Sequence, residues 1–521
     1  MTARPAVGIG GGLAGTSAAL RPQDQSGSRS AVVIGGGLAG ISAALRLREA
    51  GFAVTLLEAR PRLGGAASSF RRGDMVIDNG QHVFLRCCTS YRGLLARLGV
   101  TGSVRIQERF DVTVLSPAGP ARLRRTALPG PLHMGPALAG YRLLSPAQRL
   151  GVARAALAMR FADPGGPAMD AAALGSWLAA RGQDERTRRV LWDLFIVSAL
   201  NIAGDDASAA LAATVVKMAL LGTRDAADIG IATVPLGDLH ADAAGAALAR
   251  AGVAVRLGAR VTGIEALPGG GFSIALHHDS GHDVGQDSGQ QASGGAGAPC
   301  GQALTADTVV LAVPAEQAAR LAGQAGVPGA GRWAELGSSP IVNVHVVYDR
   351  PVMPLPFAAA VDSPVQWIFD KTRQAGLTSG QYLAVSLSAA DEYVNVPVAS
   401  LRERFVPALE LLFPAASQAR ISDFFVTRER RATFRQGPGT AALRPEAGTD
   451  TGGLVLAGAW TKTGWPDTME GAVRSGHNAA QELVSQRAAG RLGAANAAGP
   501  GGAGLRRPGG EARPTRSGVA R

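Results

Sequence analysis

The stretch "AVVIGGGLAGISAALR" at residues 31–46 decides how this chain is read, because nearly the same words have already occurred once, as "AVGIGGGLAGTSAALR" at residues 6–21. Fourteen of the sixteen positions agree. Both copies carry the spacing GxGxxG, which between a strand and a helix lets backbone N–H groups cradle a dinucleotide pyrophosphate. The residues downstream of each copy separate them. In the second, residues 31–34 form a short apolar strand, Gly35, Gly37 and Gly40 make the turn, a helix is predicted through Ala50, and Gly51 closes it. The next strand, "FAVTLLE", ends at Glu58, 23 residues after Gly35, where a carboxylate accepts hydrogen bonds from ribose hydroxyls. In the first copy Gly8 weakens the strand and Pro22 cuts the helix, and the residue 23 places after Gly10 is Val33. One nucleotide site is expected, with residues 1–30 a disordered extension that carries a duplicated glycine motif.

With 521 residues the chain exceeds one ordinary core, and two or three connected domains are expected. Seventy glycines make any lone glycine pattern weak, so a motif counts only in its structural setting. The two ends, residues 1–30 and 485–521, supply eight of the twelve net positive charges. Charge placed in Gly/Ala/Pro-rich ends reads as solvated tail, and no nucleic-acid partner is expected. Cys87, Cys88 and Cys300 show no CxxC spacing, which excludes a disulfide framework and fits a reducing, cytoplasmic compartment. No run of 18 apolar residues occurs. In "HHDSGH", His277, His278 and His282 sit at the start of a Gly/Ser/Gln-rich insertion at 279–303, and loop-tip polarity accounts for them without a metal.

Directly after the acid, "EARPRLGGAASSF" gives Arg60 and then a second glycine loop at Gly64 and Gly65. Here the chain resembles the flavin-dependent amine oxidase and phytoene desaturase superfamily, in which such a loop lies along the FAD pyrophosphate and ribityl chain. The arginine usual after the paired glycines is Ala66. Near the other end, "GGLVLAGAWTKTGWPDTMEGAVRSGHNAA" supplies an apolar strand, Gly458, a loop and a helix with small residues on its packed faces. The resemblance implies that the backbone at Met469 and Glu470 approaches the flavin, where a helix N-terminus stabilises negative charge on the reduced ring. It also places Val261 beside the adenine. The acid that often follows the glycine is Ala459 here.

Between these ends the pattern changes twice. Residues 138–222 read as largely helical, with apolar positions that suit either a tunnel wall or plain core. Residues 253–313 return to short strands expected to complete a sheet beside the first βαβ unit, and "IVNVHVVYD", "VQWIFD" and "QYLAVSLSA" suit a second sheet. The expected fold is α/β: a discontinuous Rossmann-like FAD-binding domain at residues 31–85, 240–330 and 440–485, with an inserted α+β substrate domain at 86–239 and 331–439 and a disordered basic tail at 486–521.

A more specific resemblance, carried by "DNGQHVFLRCCTSYRGLL" from Asp78, "ALN" from Ala199, "QWIFD" from Gln366 and "GWPDTMEGAVRSG" from Gly464, is to the hydroxysqualene dehydroxylases of bacterial hopanoid synthesis. It covers residues 31–485 and implies FAD-dependent reductive removal of the hydroxyl of a lipophilic C30 isoprenoid. A carotenoid-type desaturase would use the same fold in the oxidising direction. An amine oxidase would need an aromatic cage, for which Trp460 and Trp465 are candidates, and a flavin-binding scaffold would need no turnover at all. Expelling hydroxide calls for a proton donor, and the resemblance puts "DNGQH" on the substrate side of the flavin. His82 titrates in the useful range and Asp78 is placed to orient it or to satisfy local backbone donors; Tyr91 is the alternative donor. Residues 135–161 pair apolar residues with Arg142, Arg149, Arg154 and Arg160, a composition suited to peripheral contact with the inner membrane surface. The electron donor that reduces FAD leaves no mark, since no second complete nucleotide unit exists.

Overall fold

The structure, a computed structural model, describes residues 28–278 and 303–492. The first glycine copy, Cys300, His282 and nearly all of the 279–303 insertion therefore lie outside the described residues. So does the tail beyond residue 492.

Strand Ser30–Ile34 (β1), helix Leu38–Glu49 (α1) and strand Ala53–Glu58 (β2) form the unit expected from the quoted stretch. The two strands lie centrally in a five-stranded parallel sheet, flanked by Ala254–Leu257 on one side and by Thr308–Leu311 and Leu454–Leu456 on the other. Such strands are almost continuously apolar because a parallel sheet is covered on both faces. One face carries α1 and the C-terminal helix Met469–Ala488, which touch closely because Gly476 admits the Ala39 carbonyl and the Ser42 side chain. That helix runs past the expected limit at residue 485.

The strands from 253 to 313 do not all join this sheet. Ala259–Ala266, Phe272–His278 and Ala303–Ala306 form a separate antiparallel sheet. The short connection from Ala266 to Phe272 makes the first two pair antiparallel, whereas entry into a parallel sheet needs a crossover. This small sheet covers the opposite face through a shared core that includes Val32, Leu57, Val261 and Ile274.

A seven-stranded sheet builds the other half, in the order Ile421–Thr433, Ser339–Tyr348, Gln381–Leu387, Trp367–Asp370, Phe357–Ala360, Asp111–Leu115, Ala121–Arg124. Its last two strands come from a segment in which the sequence reading named no strand. Helices Pro146–Phe161, Asp193–Leu200 and Ala209–Val215 pack on one side of it in a common core with Val112, Phe357 and Phe369. Asn201, of the "ALN" motif, adopts a left-handed conformation at φ 51° and binds Ser339 O, Thr433 Oγ1 and Ala389 N, locking helix to sheet.

Helix Thr89–Leu98 (α2) turns Tyr91, Leu94, Leu95 and Leu98 into the core beneath the parallel sheet, together with Leu236 and Leu239. The spacing of that stripe is a helical face, and the C-terminal helix is its main partner.

Candidate active site

At the nucleotide end, two glycine turns interlock. A side chain on Gly35, at φ 110°, would strike the Ala312 carbonyl, and one on Gly40 would strike the Gly35 carbonyl. Gly37 is the N-cap of α1, and no side chain caps the first-turn N–H groups. The Gly64 N–H donates to Gly36 O at 2.9 Å, and a Cβ on Gly65 would come within 2.8 Å of Gly37 Cα. Glu58 stitches the same region: Oε2 accepts Gly36 N–H at 2.6 Å and Oε1 accepts Arg60 N–H at 2.7 Å, while Arg60 Nη1 donates to Gly65 O at 3.1 Å. Arg62 Nη1 is buried beside this cradle with no hydrogen-bond partner. Bare backbone donors and an orphaned guanidinium nitrogen fit a diphosphate. Val261 has its side chain in the core under β1 and β2, which leaves its backbone as the contact expected for adenine.

At the flavin end, Gly458 sits at φ 147° and donates its N–H to Ser475 Oγ at 2.8 Å. A side chain there would collide with the Trp460 indole. The following loop is held by a residue sequence reasoning passed over. Arg444 is buried and donates to Ala459 O, Thr461 O and Trp465 O at 3.0, 2.6 and 2.7 Å, and burial pulls its pKa down to about 10. Thr468 caps the C-terminal helix by accepting Gly471 N–H at 3.2 Å. The Met469 and Glu470 N–H groups precede the first intrahelical bond, made by Ala472, and both residues line a cavity. The Glu470 side chain faces away from any ligand role: it accepts Ser90 and Tyr91 N–H at 3.2 and 2.7 Å and pairs with Arg474 at 2.7 Å.

The segment "DNGQH" joins the two ends. Asn79 donates to Ala66 O and accepts Ser68 N–H, which fixes the second glycine loop. Asp78 is buried: its Oδ1 accepts from Ser69 Oγ at 2.7 Å and Leu236 N–H at 2.9 Å, and its Oδ2 pairs with Lys371 at 2.9 Å. It therefore holds local donors and does not hydrogen-bond His82. His82 is half-buried, with Nδ1 3.3 Å from Gly80 O; burial lowers its pKa, partly offset by the Gly80 carbonyl and by Asp78. Tyr91, the alternative proton donor, is buried with its hydroxyl 2.8 Å from His240 Nε2. Burial raises its pKa, so it is poorly placed to give up a proton.

Gln81, beside His82, was not singled out from sequence. Its Nε2 is buried without a partner, and the residue lines an apolar cavity of about 230 Å³. The cavity is lined by Trp465, Met469 and Glu470, by Phe195 and Met218 of the helical layer, and by Phe357 and Trp367 of the seven-stranded sheet. Of the helical residues whose role was open, Leu194 and Phe195 face this space while Trp177 and Trp192 are core. Cys87 and Cys88 also line it. A hydrogen bond between them holds the Cys87 thiol below its usual range and the Cys88 thiol well above. Trp460 does not reach it: its Nε1 donates to Val313 O at 3.0 Å and its ring packs on Trp333. Only one of the two candidate cage tryptophans thus faces the cavity.

This is the architecture of an FAD-dependent oxidoreductase, and residues 38–484 match the flavin containing amine oxidoreductase family, to which the chain belongs. Its cofactor is FAD. The chain is 30% identical to hydroxysqualene dehydroxylase of Rhodopseudomonas palustris over 489 residues, covering 92% of this chain and 97% of that one. It is 24% identical to 15-cis-phytoene desaturase of Solanum lycopersicum over 470 residues, covering 84% and 74%. The fold is that of wild-type putrescine oxidase solved with putrescine, with a TM-score of 0.64, 18% identity, and 88% and 99% of the two chains covered.

Proposed function

We propose that this enzyme reductively removes the hydroxyl of hydroxysqualene to give squalene, a step of hopanoid biosynthesis. The observation that carries the reading is the apolar cavity that reaches Met469 at the helix N-terminus and is also lined by a buried amide without a partner, Gln81. A C30 hydrocarbon with one hydroxyl needs that pairing of apolar wall and lone polar group. Similarity to a named hydroxysqualene dehydroxylase over nearly the whole chain supports it. Reduced FAD, when bound, supplies a hydride to carbon; with one proton delivered to the departing oxygen, the products are squalene, water and oxidised FAD. Gln81 positions the hydroxyl through its amide. His82, between the cavity-lining Gln81 and Val83, provides the proton; burial lowers its pKa, which makes the protonated imidazole a stronger acid but a less populated one near neutral pH. Aromatic and aliphatic walls exclude water, which strengthens each of these polar contacts.

A second reading, isoprenoid desaturation, is favoured by the similarity to phytoene desaturase. The two differ in which flavin state reacts. Anaerobically reduced holoenzyme is offered hydroxysqualene, phytoene or an amine, and oxidised holoenzyme the same three. Return of the oxidised flavin spectrum with hydroxysqualene alone, with squalene as product, is expected; bleaching of oxidised enzyme by phytoene would assign the second reading instead.

A further inference from the structure

Twelve large apolar side chains are exposed among the described residues, and half of them, Leu128, Leu132, Leu150, Leu157, Phe161 and Met218, belong to three segments that meet. Lys217 Nζ donates to Ala162 O at 2.7 Å and Arg160 Nη1 to Leu221 O at 3.0 Å, joining the end of helix Pro146–Phe161 to the Met218 turn. Gly130 backs directly onto the Gly222 carbonyl and joins the Leu128 loop to the same turn. The helix buries Val152, Ala155 and Met159 and leaves Leu150, Ala153, Arg154, Leu157, Arg160 and Phe161 exposed, a single face by their spacing. Leu150, Leu157 and Phe161 are 54%, 58% and 78% exposed. Met218 is 42% exposed and also lines the main cavity, so it stands at the cavity mouth. Contiguous apolar surface of this kind marks an interaction site.

Charge around the patch selects the partner. Arg154 and Arg160 share the apolar face, whereas Arg149 turns inward to Tyr141 O and Ala139 O. A polar cleft beside Leu128 holds Arg86, Arg109, Arg125 and Arg224 against Glu108, Asp225 and Asp228. Arg86 and Arg125 close on Asp228, while Arg109 and Arg224 make no ion pair among the described residues. An apolar face rimmed by arginine suits acyl chains beneath anionic phosphates. We propose that this edge docks on an anionic lipid bilayer, so that the mouth at Met218 opens into the lipid. The inference deepens the isoprenoid reading, since a lipid-dissolved substrate would then enter without crossing water, but docking itself requires no chemistry.

The test is flotation of the full-length holoenzyme with vesicles of phosphatidylcholine alone or mixed with phosphatidylglycerol. Binding to the mixed vesicles is expected, and the double substitution Leu157→Glu, Phe161→Glu should cut it by about tenfold or more with flavin content unchanged. Arg154→Gln should weaken binding to the anionic vesicles only. Equal partitioning of wild type and double variant overturns the proposal, as does failure of wild type to bind either vesicle. A wild-type dimer that the double variant splits, with no vesicle binding, would assign the face to a second copy of the chain. Vesicle binding without reoxidation by hydroxysqualene would leave docking intact and remove the substrate reading.

Discussion

The Glu58 carboxylate accepts the Gly36 and Arg60 N–H groups, and each oxygen retains a lone pair for the ribose. Glu58→Ala removes a charged acceptor from the cradle and should weaken FAD retention by roughly 1.5–3 kcal/mol, read as a higher Kd in flavin titration of the apoprotein. Unchanged affinity would mean that the carboxylate serves the turns alone. His82→Ala should keep FAD yet slow reoxidation by hydroxysqualene by about a hundredfold or more, the lower range for losing an acid catalyst. A wild-type rate would make His82 structural and leave the proton to water. Glu58 was legible because strand, turn and helix lengths set its distance from Gly35. Gln81 was not, because its isolation depends on residues over a hundred positions away that wall the cavity. Asp78 was legible as a polar partner, but Lys371 and Leu236, which claim it, lie 293 and 158 positions away.

Among the elements, the contact between α2 and the C-terminal helix is the one that brings Cys88 and Met469 to the same cavity. Glu470 caps α2 across that contact, and Glu470→Ala leaves the Ser90 and Tyr91 N–H groups without acceptors at a cost of about 1–3 kcal/mol. Urea unfolding should show it, and an unchanged midpoint would mean that water replaces the carboxylate. The leading glycine copy is expected to be dispensable. Ser30 already belongs to β1 and exchanges hydrogen bonds with Asp307 at 2.7–2.9 Å, so the deletion that tests this stops at residue 27. Flavin content should survive it; loss of FAD would restore a role to the repeat. The helices and strands of the nucleotide unit were readable because their interactions are local. The hairpin of strands Asp111–Leu115 and Ala121–Arg124 was missed because the strand that takes it into the sheet, Phe357–Ala360, pairs with Asp111–Leu115 from over two hundred residues on.

In the molecule as a whole, buried neutral histidines couple the fold to pH. Burial takes His240 and His345 from 6.5 to about 3, so between those values the unfolded chain binds protons that the folded one refuses. Their contribution is present above pH 6.5 and is lost as pH falls. Asp467 and Asp193 oppose this, since burial raises both from 3.8 to about 6 and the folded chain then holds the extra protons as pH falls through that range. Asp467→Asn removes one opposing group, so stability should fall more steeply between about pH 6 and 4, by up to roughly 1.4 kcal/mol per pH unit. Urea midpoints at pH 7.5 and 5 measure it, and parallel behaviour of variant and wild type would contradict the assignment.

The central claim, that reduced flavin at the end of an apolar cavity removes a hydroxyl from a C30 isoprenoid, meets its most direct test in a single turnover. Holoenzyme reduced without oxygen is mixed with hydroxysqualene, and flavin reoxidation and squalene are followed together. One squalene formed for each flavin reoxidised, at matching rates, is the expected result. Reoxidation without squalene, or a flavin that stays reduced while hydroxysqualene is bound, would contradict it.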